Sequence, residues 1–306
     1  MAGLTTVLLL VGCGKSTETP IGSSLSGSIS IDGSSTVLLI SQAVYEEFNQ
    51  DYPRVKIDVS ASGTGSGMRM FAAGEIDICD ASRGIKDSEI QACKDGGVEF
   101  LELTVAFDGL AVVTNPENEW CDKVTVEQLK TIWRAESEET VMAWKDVDPA
   151  WPDEPLKLYG PGDDSGTFDY FTKVINGEEK SSRRDYQPSE DDNALVIGVA
   201  GDKGSLGYFG YAYYAENADK LKLLSVDSGN GPTKPSIETV RDNSYAPLSR
   251  PLFIYVKKSS LERPEFMEFI KFYLANTAAL STDVGYVPVS DGIAAQNQEL
   301  LQAALK

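Results

Sequence analysis

Three segments of the chain share one grammar: an apolar strand-like run, a cluster of Gly, Ser and Thr, and the first apolar residue of a helical repeat. They are Asp32-Gly33-Ser34-Ser35-Thr36 before Val37, Ser62-Gly63-Thr64-Gly65-Ser66-Gly67 before Met68, and Asp163-Asp164-Ser165-Gly166-Thr167 before Phe168. At such a junction the first N–H groups of the helix lack internal partners, and the helix dipole places partial positive charge there. Glycine lets the backbone approach a ligand closely, and each hydroxyl adds a donor. Three such ends aimed at one point make an anion cage that needs no formal positive charge. Any one of them alone is explained equally well as an ordinary N-cap beside a loop glycine. None has the Lys of a nucleotide phosphate loop or the dinucleotide glycine spacing, which argues against nucleotide hydrolysis.

A fourth segment, Ala81-Ser82-Arg83-Gly84, follows the apolar stretch Ile76 to Cys79. An arginine in that place forks onto two oxygens of a tetrahedral anion, or else pairs with one of the many acids nearby. Acids are abundant: the 306 residues include 47 Asp and Glu against 27 Lys and Arg, a formal charge of −20. Such a field repels nucleic acid and anionic lipid, so neither is expected as a partner. It also repels a small anion, and the local field of the helix ends must overcome it. The chain has no histidine, which excludes a His-containing triad and removes the commonest metal ligand. No metal or cofactor is expected.

The elements that must position these groups alternate β and α. Ile29-Ser30-Ile31 predicts a strand, and Val37, Ile40, Val44 and Phe48 recur at helical spacing. Val55 to Val59 alternates as a second strand, before a short helix carrying Met68 and Phe71. Glu99 to Val105 and Leu110 to Thr114 read as two strands around Phe107-Asp108-Gly109, and Trp144 to Pro155 as a surface loop. Leu156 to Tyr159 predicts a strand, Phe168, Phe171, Val174 and Ile175 a helix, Leu252 to Val256 a late strand, and Pro264 to Ala275 a helix. The alternation predicts an α/β architecture.

Before this region, Leu4 to Gly12 is an apolar run too short to span a bilayer but long enough for the core of a signal peptide. Leu10-Val11-Gly12-Cys13 resembles a bacterial lipobox, so residues 1–12 read as a signal peptide and Cys13 as the acylated residue. Residues 13–27, rich in Ser, Thr, Gly and Pro, read as a tether. In an oxidising compartment two of the remaining cysteines can pair. Cys79 lies in an apolar stretch and is expected as a free core thiol. Cys93 and Cys121 stand in polar surroundings and are the expected disulfide.

Taken in order, Gly33 to Thr36, Ser62 to Gly67, Asp77 to Arg83, Ala106-Phe107-Asp108-Gly109 and Tyr159-Gly160-Pro161-Gly162-Asp163-Asp164-Ser165-Gly166-Thr167-Phe168 resemble the periplasmic phosphate-binding proteins of Pst-type ABC transporters. The likeness runs from about Ser28 to Tyr286, includes Leu206 to Tyr211 and Leu248 to Leu252, and is strongest to a cyanobacterial-like branch. It implies a two-lobed (type II) periplasmic binding protein, α/β in each lobe, with the ligand in the cleft between them. Lobe 1 would comprise 28–106 and 252–306, and lobe 2 would comprise 107–251. Crossing strands near Ala106 to Leu110 and Ser249 to Leu252 would form the hinge. The phosphate ligands implied are Ser35, Thr36, the backbone of Val37, Thr64, Ser82, Ser165, Gly166 and Thr167. Two positions depart from the pattern, because the family's Arg falls on Pro161 and its Asp on Ser82. Arg83 is then the expected guanidinium, with Arg183 behind it and Arg250 read as structural. Asp108, with Asp80 second, is the expected reader of the phosphate proton. The implied function is capture of inorganic phosphate outside the cytoplasmic membrane and delivery to an ABC permease, by a monomeric, lipid-anchored binding protein that is not an enzyme. The alternatives are another oxyanion (sulfate, molybdate or arsenate), a secreted phosphatase, and a sensor or adhesion role.

Overall fold

The computed structural model describes residues 25–163 and 165–305; Cys13 and the signal-peptide segment lie outside them. Strand β1 (Gly27–Gly33) leads into helix α1 (Ser35–Asp51), which buries Val37, Ile40, Val44 and Phe48 on one face. Three- and four-residue spacing places these side chains in one stripe. Phe48 stacks on Tyr52 with ring centroids 4.4 Å apart and meets Phe269 edge-on at 5.2 Å. Strand β2 (Val55–Val59), helix α2 (Thr64–Ala72), strand β3 (Ile78–Ala81) and helix α3 (Asp87–Asp95) follow. β1 pairs in parallel with both β2 and β3, setting Ile31 opposite Val59 on one side and Ile78 on the other.

Strand β4 (Phe100–Thr114) links the two halves of the molecule. Its first part, Phe100 to Gly109, pairs antiparallel with the strand Ser249–Lys257, which also pairs with β3. Its last part, Leu110 to Thr114, pairs antiparallel with the strand Ser205–Gly210, which in turn pairs with Lys157–Gly160. The molecule is therefore two-lobed, with one curled sheet passing through both lobes along β4. The two strands expected here are a single strand. The reason lies in its burial: Leu101, Leu103 and Val105 alternate with more exposed residues, whereas every residue from Ala106 to Thr114 is buried. The alternation belongs to a strand covered on one face and the continuous run to a strand covered on both. Gly109 serves close approach and makes no turn, since a Cβ there would lie 2.5 Å from the Val240 side chain.

Each lobe has its own core. In one, Ile29, Ile31, Leu103, Ile254 and Phe266 pack together. In the other, Leu110, Trp133, Phe168, Phe171 and Tyr208 do so, with Phe171 stacked on Tyr208 at 3.7 Å. The segment expected as a surface loop opens with the helix Trp144–Val147, and Trp144 is wholly buried with its indole N–H donating to the Gly204 carbonyl at 2.9 Å.

The cysteines correct the expected disulfide. Cys79, Cys93 and Cys121 are all free and buried. Cys93 packs with Met68, Phe71 and Tyr255, while Cys121 sits in the other core with Val124 and Trp133. Both thiols are 1% exposed; the polar residues beside them in sequence point away, and separate cores hold them apart.

Candidate functional site

A cleft of about 510 Å³ opens between the lobes. Its floor is lined by Ser34, Thr36, Tyr170 and Arg250, and its rim by Ser62, Arg69, Lys86 and Lys173. Helices α1 and α2 both begin here. Ser34, the N-cap of α1, and Gly63, the N-cap of α2, supply no side-chain cap. The N–H groups that open each helix are thus left for a ligand, except that of Ser66, which donates to the Gly63 carbonyl at 3.0 Å. Ser35, Thr36, Thr64 and Gly65 of these first turns line the cleft. Val37 is buried in the core and is not among the residues that line the cleft. The loop before α2 is fixed from behind: the Gly63 N–H donates to the Gly33 carbonyl at 2.7 Å and the Ser62 N–H to Asp32 Oδ1 at 2.8 Å. Ser82 also lines the cleft, and its N–H donates to Thr64 Oγ1 at 3.3 Å.

The opposite lobe meets this surface through the helix Gly166–Phe171. A Cβ on Gly166 would lie 2.9 Å from Thr36 Oγ1, so only glycine lets the two helix starts approach this closely. Ser165 and Thr167 are placed differently from Gly166. The Thr167 N–H donates to Ser165 Oγ at 3.2 Å, so that pair caps its own helix, and of the triplet Gly166 alone lines the cleft. Asp169 lines it too. Its Oδ1 is buried without a hydrogen bond, with Lys180 Nζ 3.7 Å away. Burial raises the pKa of this carboxyl, and Lys180 partly offsets the shift.

The guanidinium on the floor belongs to Arg250, which the sequence reading placed in the framework. It comes from the strand Ser249–Lys257, which crosses between the lobes beside β4. Its Nε and Nη2 donate to Asp108 Oδ2 at 3.1 and 3.0 Å, and Nη2 also donates to Thr36 Oγ1 at 2.9 Å. The plane lies over the Tyr170 ring, 3.7 Å from its centroid, a contact that suits arginine. The Tyr170 hydroxyl is held in turn by the Pro247 and Ser249 carbonyls. Nη1 takes no partner among the described residues, leaving one edge of the fork for an anion.

Arg83 lines the cleft as well, but its fork is closed on Glu89, with N–O distances of 2.9 and 2.7 Å. That pairing raises Arg83 and lowers Glu89. Arg183 is far from the cleft, fully buried on Asp185 and the Ile132 and Val141 carbonyls. Asp108 does not face the cleft as expected. Its side chain is 2% exposed and is taken up by Arg250, which stands between it and the opening. Burial raises its pKa, with the Arg250 charge and hydrogen bond pulling it back. Asp80 is wholly buried behind α1, accepting from Ser41 Oγ at 3.0 Å, and burial pushes it up to about 8. No group of side chains able to hold a metal ion occurs among the described residues.

The sequence matches the family profile described as the PBP superfamily domain over residues 18–277. It is 49% identical over 285 residues to protein SphX of Synechocystis sp., covering 93% of this chain and 84% of that protein. It is 40% identical over 283 residues to the phosphate-binding protein PstS of Staphylococcus aureus (strain USA300), covering 92% and 84%. The crystal structure of a possible phosphate binding protein from Planctomyces limnophilus superposes with a TM-score of 0.88 at 50% identity, over 92% of this chain and all of that one.

Proposed function

Because the chain belongs to the PBP superfamily and, within it, to the phosphate-binding proteins, we propose that it captures inorganic phosphate in the inter-lobe cleft and hands it to an ABC permease. The observation that carries this reading is the convergence in one cleft of two uncapped helix starts, the Thr36 and Thr64 hydroxyls and the open edge of Arg250. Backbone N–H groups and a guanidinium are donors only, so the floor selects an acceptor-rich anion. The donors come from the first lobe and from the crossing strand, and Gly166 and Asp169 of the second lobe line the same cleft, so a bound oxyanion joins the lobes and favours the closed form.

We place the lobe boundary at 106/107 and 251/252, where the crossing strands pass between the cores. Asp169, which lines the cleft and whose Oδ1 accepts no hydrogen bond among the described residues while lying 3.7 Å from Lys180 Nζ, takes over the role that Asp108 was expected to play, accepting the P–OH hydrogen that sulfate lacks. Export, acylation of Cys13, residence outside the cytoplasmic membrane and a monomeric state complete the proposal. They are supported by the lipobox-like Leu10-Val11-Gly12-Cys13 and by the binding-protein family. No helix among the described residues is long and apolar enough to cross a membrane.

Equilibrium dialysis with radiolabelled phosphate, competed by sulfate, molybdate and arsenate, tests the ligand. Saturable 1:1 binding that phosphate competes best is expected, and preference for another anion overturns the assignment. A phosphomonoester assay at the same protein concentration should stay flat.

A further inference from the structure

Five cations line the cleft, in a protein whose formal charge is −20. Pairing offsets three of them: Arg250 with Asp108, Arg83 with Glu89, and Lys173 with Glu179. Arg69 and Lys86 remain. Neither has a carboxylate oxygen within 4.0 Å among the described residues. Arg69 donates only to Ser66 Oγ, at 2.8 Å, and Lys86 lies near Glu89, itself occupied by Arg83. Both are exposed, both sit on the rim rather than the floor, and both belong to the lobe that carries α1 and α2.

Resting on the phosphate reading above, we propose that Arg69 and Lys86 form an outer receiving site, where phosphate docks on the open lobe before it reaches the helix ends and Arg250. The physical need is plain. A dianion approaching an acidic protein meets a repulsive field at every point where acids dominate. The helix ends cannot reach out to it, because their field fades within the first turn. Two uncompensated cations at the mouth act over about a Debye length, ~10 Å at 0.1 M salt, and draw the ion to one lobe. The floor donors, set deeper and already oriented, then take it over. The outer pair therefore governs arrival, while Arg250 and the helix ends govern retention.

The test separates the two rates. The dissociation constant comes from equilibrium dialysis with radiolabelled phosphate, and the off-rate from a chase with unlabelled phosphate followed by rapid filtration; their quotient gives the on-rate. In R69Q/K86Q we expect the on-rate to fall roughly tenfold at low salt, within the range of electrostatic steering. The deficit should shrink toward none at ~1 M salt, where the Debye length is ~3 Å, and the off-rate should stay within about twofold. The control K56Q/K94Q makes the same change in net charge at exposed sites off the cleft, and its on-rate should stay near wild type. A loss carried by the off-rate, or an equal loss in K56Q/K94Q, overturns the proposal. Wild-type protein that binds no phosphate would overturn the functional reading itself, and this one with it.

Discussion

Arg250→Gln should damage the protein in two separable ways, because the residue faces the cleft on one edge and a buried acid on the other. Asp108 is 2% exposed and loses both of its hydrogen bonds in the variant. Breaking a buried ion pair from one side costs about 3–5 kcal/mol. Arg250 is itself 15% exposed, so water can reach part of the gap, and the lower figure, about 3 kcal/mol, is expected. That is a large share of the ~5–15 kcal/mol that holds a typical domain together, yet it leaves the protein folded. The pH dependence follows from the direction of the Asp108 shift. Its native pKa lies above the ordinary carboxylate value because burial outweighs Arg250, and removing Arg250 raises it further. Between the unfolded and native values the native state binds more protons, so stability falls as pH rises through that window. Urea unfolding of Arg250→Gln should therefore show a smaller loss at pH 5 than at pH 8. Adding Asp108→Asn should recover most of the loss at pH 8, since an amide carries no charge to strand, while phosphate affinity stays low. A variant that unfolds at the wild-type midpoint at pH 8, or one that Asp108→Asn does not rescue, would refute this account of the pair.

Thr36→Val removes the acceptor of Arg250 Nη2 and a hydroxyl from the floor; phosphate affinity by equilibrium dialysis should fall by about 1.5–3 kcal/mol. Gly166→Ala sets a methyl 2.9 Å from Thr36 Oγ1, so calorimetric titration should show weaker binding with little change in the urea midpoint. Asp169→Asn should narrow the preference for phosphate over sulfate in paired titrations at one pH, because an amide can donate to either anion; an unchanged ratio removes Asp169 from the selectivity argument. Non-reduced peptide mapping should find no Cys93–Cys121 cross-link, and both thiols should alkylate only after denaturation, being 1% exposed.

The helix starts were legible because they obey local rules. Gly, Ser and Thr before an apolar helical repeat describe a helix end whatever surrounds it, and α1 and α2 begin within those clusters, at Ser35 and Thr64. Charge partners are not local. Arg83 and Arg250 present the same side chain, and the difference between them is whether an acid closes the fork. Glu89, six residues away, closes Arg83; Asp108, 142 residues away, leaves Arg250 one free edge. No spacing rule reports the second. Cys93 and Cys121 failed for a related reason: polar neighbours along the chain say little about a side chain that turns inward, Cys93 from helix α3 and Cys121 from the loop before the strand Lys123–Thr125. The long strand β4 was misread because Gly109 resembles a turn residue, while its role is to admit Val240.

The position of Arg250 also joins binding to closure. Its backbone lies on one crossing strand, its partner Asp108 on the other, and its Nη2 reaches α1 of the first lobe. Its face lies on Tyr170 of the second lobe. The guanidinium therefore touches every part that must move when the lobes separate. On the proposed reading, an anion on the Nη1 edge would meet the α1 and α2 starts only with the lobes together, which is the differential affinity a population shift requires. A guanidinium on a lobe surface would hold the ligand equally well in open and closed forms. Placed on the crossing strand, Arg250 would, on the proposed reading, make retention of the anion and closure of the cleft the same equilibrium.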